Sequence, residues 1–176
     1  MRSWKVFLTP FSIVLIVILV GCSENNKTTQ IEKQNKALVQ RIHAEISKGK
    51  MEIFDEVLSP NYIRHCQAMP PEFQELHGTD QFKLFIRDFL HAVPDCKDSV
   101  LFIIAEGDKV AYVTTMTGTQ TGPMGELPAS GKEFTLTNMV IHRIEHGKIM
   151  ETWVSWDNVA MLSQIGFFPS PPPEQP

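Results

Sequence analysis

Glu133-Phe134-Thr135-Leu136-Thr137-Asn138-Met139-Val140-Ile141-His142-Arg143-Ile144-Glu145, then His146-Gly147, then Lys148-Ile149-Met150-Glu151-Thr152-Trp153-Val154-Ser155-Trp156-Asp157, is the stretch that decides the fold. Gly147 accepts positive φ, so His146-Gly147 suits a two-residue loop between paired strands. With Glu145 opposite Lys148, counting outward sets Ile144 against Ile149, His142 against Glu151, Val140 against Trp153, Asn138 against Ser155 and Leu136 against Asp157. Side chains alternate along a strand, so all of these share one face. Thr137, Met139, Ile141, Thr152, Val154 and Trp156 take the other. Titratable groups set among Leu136, Val140, Ile144 and Trp153 read as a pocket wall. A one-residue slip would exchange the two faces.

Upstream, a period of two holds back to Asp98. Val100 to Glu106 and Lys109 to Thr119 flank Gly107-Asp108, a second hairpin, and Thr121 to Gly131 is a Gly- and Pro-containing loop. Before Asp98 the period is helical. Leu38, Ile42 and Ile46 mark a helix over Ile31 to Lys48, which Gly49 stops. A short helix over Met51 to Leu58 ends at Ser59-Pro60, and Asn61 to Cys66 is extended. Phe82, Phe85, Ile86, Phe89, Leu90 and Val93 form the stripe of a third helix, with Thr79 or Asp80 as cap and Pro94 as stop. Asn158 to Ile165 forms a last short helix. The order predicts an α+β domain, its N-terminal helices packed on one face of a strongly curved antiparallel sheet. Such a cone has an opening suited to a small ligand.

The ends of the chain carry other signals. Arg2 and Lys5 precede a short apolar run, Val6 to Val20, that closes on Leu19-Val20-Gly21-Cys22. This resembles a bacterial lipobox, which implies a signal peptide over residues 1–21 and lipidation of Cys22. It implies a lipid anchor in the cell envelope. Ser23 after Cys22 points to the periplasmic side of an outer membrane where the organism has one. Residues 22–30 read as a polar tether, 31–168 as one domain, and 169–176, with five prolines, as an extended tail. The formal charge is −4, and −6 without Arg2 and Lys5, which argues against nucleic acid. Cys66 and Cys96 read either as a disulfide or as two separate thiols.

Asn35 to Val39, Leu58-Ser59-Pro60-Asn61-Tyr62, Ala105 to Ala111, Thr117 to Gly122, Arg143 to Ile149, Glu151-Thr152-Trp153 and Trp156-Asp157 occur in this order. Together they resemble the SnoaL-like polyketide cyclase, or ester cyclase, family. The resemblance implies the NTF2-like cone and a homodimer formed through the sheet. It also implies cofactor-free and metal-free aldol cyclisation, or related isomerisation, of a small carbonyl or polyketide-like compound. Carried onto this chain, the family's acid/base aspartate is Asp157 and its neighbouring histidine is His142. Where the family often carries Trp-Asp-x-x-Asp, this chain has Trp153-Val154-Ser155-Trp156-Asp157.

A carboxylate desolvated beside Leu136 and Trp153 has a raised pKa and can remove and return a proton. His142 and Asn138 would then stabilise the enolate oxygen. Asp157 reads equally as the N-cap of the helix from Asn158. His142 reads also as a structural cross-strand partner of Glu151. His65, following Tyr62 on its strand, lines the cavity mouth or sits on the surface. Tyr62, His65, Asn138, Glu151 and Trp153 are the expected ligand-pocket residues, for a small apolar or carbonyl-containing molecule. The histidines and cysteines lack metal-ligand spacing, so no metal is expected. A non-catalytic lipoprotein that binds a small molecule is the alternative function.

Overall fold

The computed structural model describes residues 11–168, with side chains from residue 27 onward. The first ten residues of the expected leader, the side chain of Cys22 and the Pro-rich tail lie outside the described residues. Helix α1 runs over Phe11–Ile46. It takes in the stretch read as a polar tether, because nothing from Cys22 to Ile46 breaks a helix: Glu, Asn, Lys and Gln tolerate it and no proline intervenes. Among the described residues no helix is long and apolar enough to cross a membrane. Asn35, Val39 and Ile42 form the buried stripe of α1. Helix α2, Ile53–Val57, buries Ile53, Phe54 and Val57.

Strand β1, Leu58–His65, begins three residues earlier than expected and runs through Pro60. Its register against the last strand of the chain, β6 (Lys148–Ser155), shifts between Leu58 and Ile63, where the proline supplies no ladder N–H. A three-residue edge strand, β2 (Glu75–His77), escapes sequence patterning because it is too short to show a period. Helix α3 spans Gly78–Ala92 and is capped neither by Thr79 nor by Asp80. Instead the Gln81 side chain accepts the His77 N–H at 2.6 Å.

Strands β3 (Lys97–Glu106), β4 (Lys109–Thr119), β5 (Glu133–Glu145) and β6 (Lys148–Ser155) follow, then helix α4 (Asn158–Ile165). The sheet order is β2-β1-β6-β5-β4-β3. All pairings are antiparallel except β1 with β6, which is parallel. The helices-on-sheet α+β architecture therefore holds with one parallel pair in a mostly antiparallel sheet. Gln120, fully buried, holds the β4–β5 loop. Its Nε2 donates to the carbonyls of Gly122 and Pro128, and its Oε1 accepts the Ser130 N–H.

The β5–β6 turn forms as expected, with His146 and Gly147 both at positive φ. The register beyond it does not. Ile144 faces Ile149, but the next pair is Arg143 with Glu151, so Met150 is bulged out. His142 then faces Thr152, Ile141 faces Trp153 and Val140 faces Val154. The inner face carries Asn138, Val140, His142, Thr152 and Val154. Glu151 and Trp153 are on the outer face, opposite to the expected one.

Two apolar clusters fill the inside. One gathers α1, α2 and the near ends of the strands around Tyr62, Val110, Tyr112 and Ile144. The other joins Ala92, Val93, Phe134 and Leu136 to Met161 and Ile165 of α4. Polar groups line the inner surface where the two approach each other.

Candidate functional site

Burial in β5 alternates without exception from Glu133 to His142, which aims Asn138 and His142 inward. His142 is 8 % exposed, and both of its ring nitrogens are engaged. Nε2 lies 2.9 Å from the Tyr112 hydroxyl and Nδ1 lies 2.8 Å from the Thr152 hydroxyl. Burial pushes its pKa down to about 3, so the imidazole is neutral at physiological pH. Tyr62 is buried below Thr152 on β1, and desolvation raises its phenol to about 12 against the pull of the Thr152 hydroxyl. Asn138 donates from Nδ2 to the Thr114 hydroxyl at 3.3 Å.

The network extends to residues that sequence reasoning passed over. The His43 ring meets Tyr112 edge-on, centroids 5.3 Å apart. Its Nδ1 stands 3.6 Å from Asp98 Oδ2. The two side chains are 18 % and 29 % exposed, so the pair, from α1 and β3, is within reach of solvent. Burial raises the Asp98 carboxyl above its ordinary range, partly offset by the Thr114 hydroxyl and by His43. Burial also lowers His43, partly offset by Asp98. The two pKa values are thereby drawn towards each other, a condition for exchanging a proton. A signal for His43 was present: it lies four residues after Val39, on the buried stripe. Tyr112 shares the parity of Val110 and Thr114, both buried. Asp98 had only the position of a strand start.

The remaining expected site residues are elsewhere. His65, Glu151 and Trp153 come together, but on the outer face. His65 Nε2 lies 2.8 Å from Glu151 Oε1, and Nδ1 lies 3.2 Å from Glu75 Oε1. The imidazole stacks on Trp153 at 5.5 Å between centroids. Arg143 Nε donates to Glu151 Oε2 at 3.2 Å, and Arg143 also pairs with Glu145. Burial would raise Glu151, but His65 and Arg143 outweigh it and hold the carboxyl below its ordinary value. The bulge at Met150 is the reason Glu151 and Trp153 miss the interior, and His65 misses it because Tyr62 and Arg64 take the buried positions of β1. Asp157 is exposed, and its Oδ1 accepts the Ala160 N–H at 2.9 Å as N-cap of α4. Of the two readings of Asp157, the structure takes the cap. Cys66 and Cys96 are free thiols.

An open groove of about 500 Å³ lies at the other end of the sheet, bordered by Asp95, Lys97, Glu133 and Gln164. Asp95 there is bound by the Thr119 N–H and hydroxyl, both at 2.7 Å, which hold its pKa down. Asp95, and Gln164, which exchanges hydrogen bonds with the Thr135 backbone, are thus occupied by the fold itself. The inner network is the better candidate for chemistry, because its titratable groups are shifted by desolvation.

The sequence model described as SnoaL-like polyketide cyclase matches residues 37–165. No curated protein matches the chain. A solved structure of a candidate SnoaL-like polyketide cyclase from Jannaschia sp. CCS1 is similar with a TM-score of 0.71 and 24% identity, over 79% of this chain and 96% of that one. TsrD from Streptomyces laurentii is 26% identical with a TM-score of 0.66, over 77% and 97% of the two chains. AclR from Streptomyces galilaeus, a candidate hydroxylase, is 25% identical with a TM-score of 0.69, over 81% and 91%.

Proposed function

Because the chain belongs to the SnoaL-like polyketide cyclase family, we propose that it performs cyclase- or isomerase-type acid/base chemistry on a small carbonyl compound inside the cone. The observation that carries this reading is the Asp98–His43 pair set against Tyr112 and His142. Val154, at the first aspartate of the family's strand pattern, packs inward against the apolar core. Asp98 on β3 is the carboxylate available to the same interior, so the acid/base role expected of Asp157 passes to it.

In this reading the Asp98 carboxylate removes a proton α to the substrate carbonyl. His142, protonated on Nε2, donates to the Tyr112 oxygen and accepts the Thr152 hydroxyl at Nδ1. That leaves the Tyr112 O–H free to donate to the developing enolate oxygen. In a cyclisation the enolate carbon then attacks a second carbonyl of the same molecule, and Asp98 returns its proton to the new alkoxide. Deuterium incorporation at the α-carbon of cyclic ketones in D₂O measures the first step. Asp98→Asn lowers the enzyme-dependent rate by about 10²-fold or more. An unchanged rate in that variant removes the chemistry and leaves a binding chamber.

The proposal includes a place and a partner. The run that closes on Cys22 supports a lipid anchor in the cell envelope. Labelled palmitate is incorporated by the wild-type chain and not by Cys22→Ser; label retained in the variant refutes the anchor. The outer face supports a homodimer through the sheet. Phe102, Ile104, Met139, Ile141 and Trp153 are all exposed there and adjoin across β3, β4, β5 and β6. Met139→Glu converts the dimer to a monomer in sedimentation, and a monomeric wild type excludes this partner.

A further inference from the structure

The inner network does not use one buried charge. Arg64 points inward on β1 between Tyr62 and Cys66 and is 5 % exposed. Its guanidinium lies between two aromatic rings, 4.7 Å from the centroid of Phe85 and 5.9 Å from that of Trp156. Its Nη1 is buried without a hydrogen-bond partner, and so is the Nε1 of Trp156 beside it. Burial lowers the Arg64 pKa, and only Cys66 and Tyr62, neither of them a carboxyl group, oppose this. A guanidinium remains charged under such conditions. A buried cation without a counter-ion is costly, and native folds compensate it with a partner. Among the described residues no carboxylate takes that place.

We infer that Arg64 Nη1 and Trp156 Nε1 form an anchoring subsite for the carboxylate of an apolar ligand. The two donors belong to side chains in contact, with the guanidinium carbon 5.9 Å from the Trp156 ring centroid, and a carboxylate offers two oxygens for two such donors. The flanking rings of Phe85 and Trp156 favour a planar anion over a tetrahedral one. Phe89 and Met116 pack with Trp156 on the second apolar cluster, which gives the ligand body an apolar wall. The inference rests on the reading of the cone interior as the reaction chamber. It adds that the carbonyl substrate is also an acid, held by its carboxylate while Asp98 acts elsewhere on it.

The test is calorimetric titration of the full-length chain in non-ionic detergent with benzoate, and with benzamide as its neutral counterpart. The wild type binds benzoate saturably, and benzamide at least about tenfold more weakly, as expected where a hydrogen bond to a charged group is lost. Arg64→Met weakens benzoate by at least about tenfold without lowering the melting temperature, since it removes an uncompensated cation. Trp156→Phe keeps the ring, removes one donor, and weakens benzoate by about threefold or more. It serves if Arg64→Met does not fold. Absence of benzoate binding, equal binding of benzoate and benzamide, or unchanged benzoate affinity in either folded variant overturns the subsite. Inorganic phosphate competing as well as benzoate also overturns it. The Asp98 exchange assay separates the two ideas. Asp98-dependent exchange without benzoate discrimination sinks the anchor alone. Discrimination without such exchange sinks the chemistry and leaves a carboxylate-binding chamber.

Discussion

Two histidines on opposite faces of one sheet have opposite surroundings. His142 faces two hydroxyls inside the cone, is neutral, and is cut off from water. His65 faces two carboxylates on the outside, with its side chain 26 % exposed and a tryptophan beneath it. Inside, low dielectric makes full hydrogen-bond satisfaction the condition for burying a polar ring, and neutral dipoles meet that condition at least cost. Outside, ion pairs are screened and contribute little each, so charges gather there without consequence for the core. The inner face is therefore a set of fixed dipoles around one raised carboxyl, Asp98, with the Arg64 guanidinium as a buried cation apart from it. The outer face is an apolar patch with an ionic edge.

The difference can be broken most sharply at its carboxylates. Asp98→Asn lowers α-proton exchange by about 10²- to 10⁴-fold, whereas Glu151→Gln, on the outer face, leaves the rate unchanged. A loss of rate in the second variant would show that the outer cluster takes part in the chemistry. A smaller effect concerns pH. The unfolded His142 binds its proton near the ordinary value of 6.5 and the folded one only near 3. Its stabilising contribution is therefore complete above pH 6.5 and is lost as pH falls towards 3. In urea titrations it adds a slope approaching ~1.4 kcal/mol per pH unit across that window. The slope is missing in His142→Gln. His65→Gln retains it and changes stability by less than ~1 kcal/mol. Equal slopes in wild type and His142→Gln would mean that the ring is hydrated. The smallest effect tests the cap at the edge of both regions. Asp157→Ala costs about 1 kcal/mol in urea unfolding and Asp157→Asn a few tenths, because Asn caps nearly as well. A rate loss in Asp157→Asn beyond the loss of folded protein would return the acid/base role to that residue.

Long periodic elements were legible in the sequence, because burial repeats over many residues there. The Phe82-to-Val93 stripe and the Gly107-Asp108 and His146-Gly147 hairpins lie as read. The short strand Glu75–His77 and the parallel β1–β6 pair are long-range choices that no local period records. The site was legible in part. His142, Asn138 and Tyr62 face inward as the alternation of their strands requires. Glu151 and Trp153 were assigned to the same wall by counting through Met150 as though the ladder were regular, and His65, read as lining the cavity mouth or lying on the surface, takes the outer face. His43 and Asp98 come from elements 55 residues apart in the chain, and their meeting depends on how α1 lies across β3. A histidine on an apolar helical stripe and an aspartate at a strand start give no sign separately of being a pair.

Met150 acts on the hairpin as a frameshift acts on a message. Up to that residue the alternation counted from the turn is in phase, and beyond it every side chain of β6 is assigned to the opposite compartment. One residue thus determines that Thr152 completes an interior histidine while Glu151 and Trp153 are presented to the surroundings. Pairing it into a regular ladder would change no residue of the sequence, yet it would deliver a carboxylate and an indole to the chamber and expel a hydroxyl from it, whereas deleting it would leave Glu151 opposite Arg143 as it is now. The choice between bulging and pairing this one residue is therefore a larger step for the chamber than most substitutions.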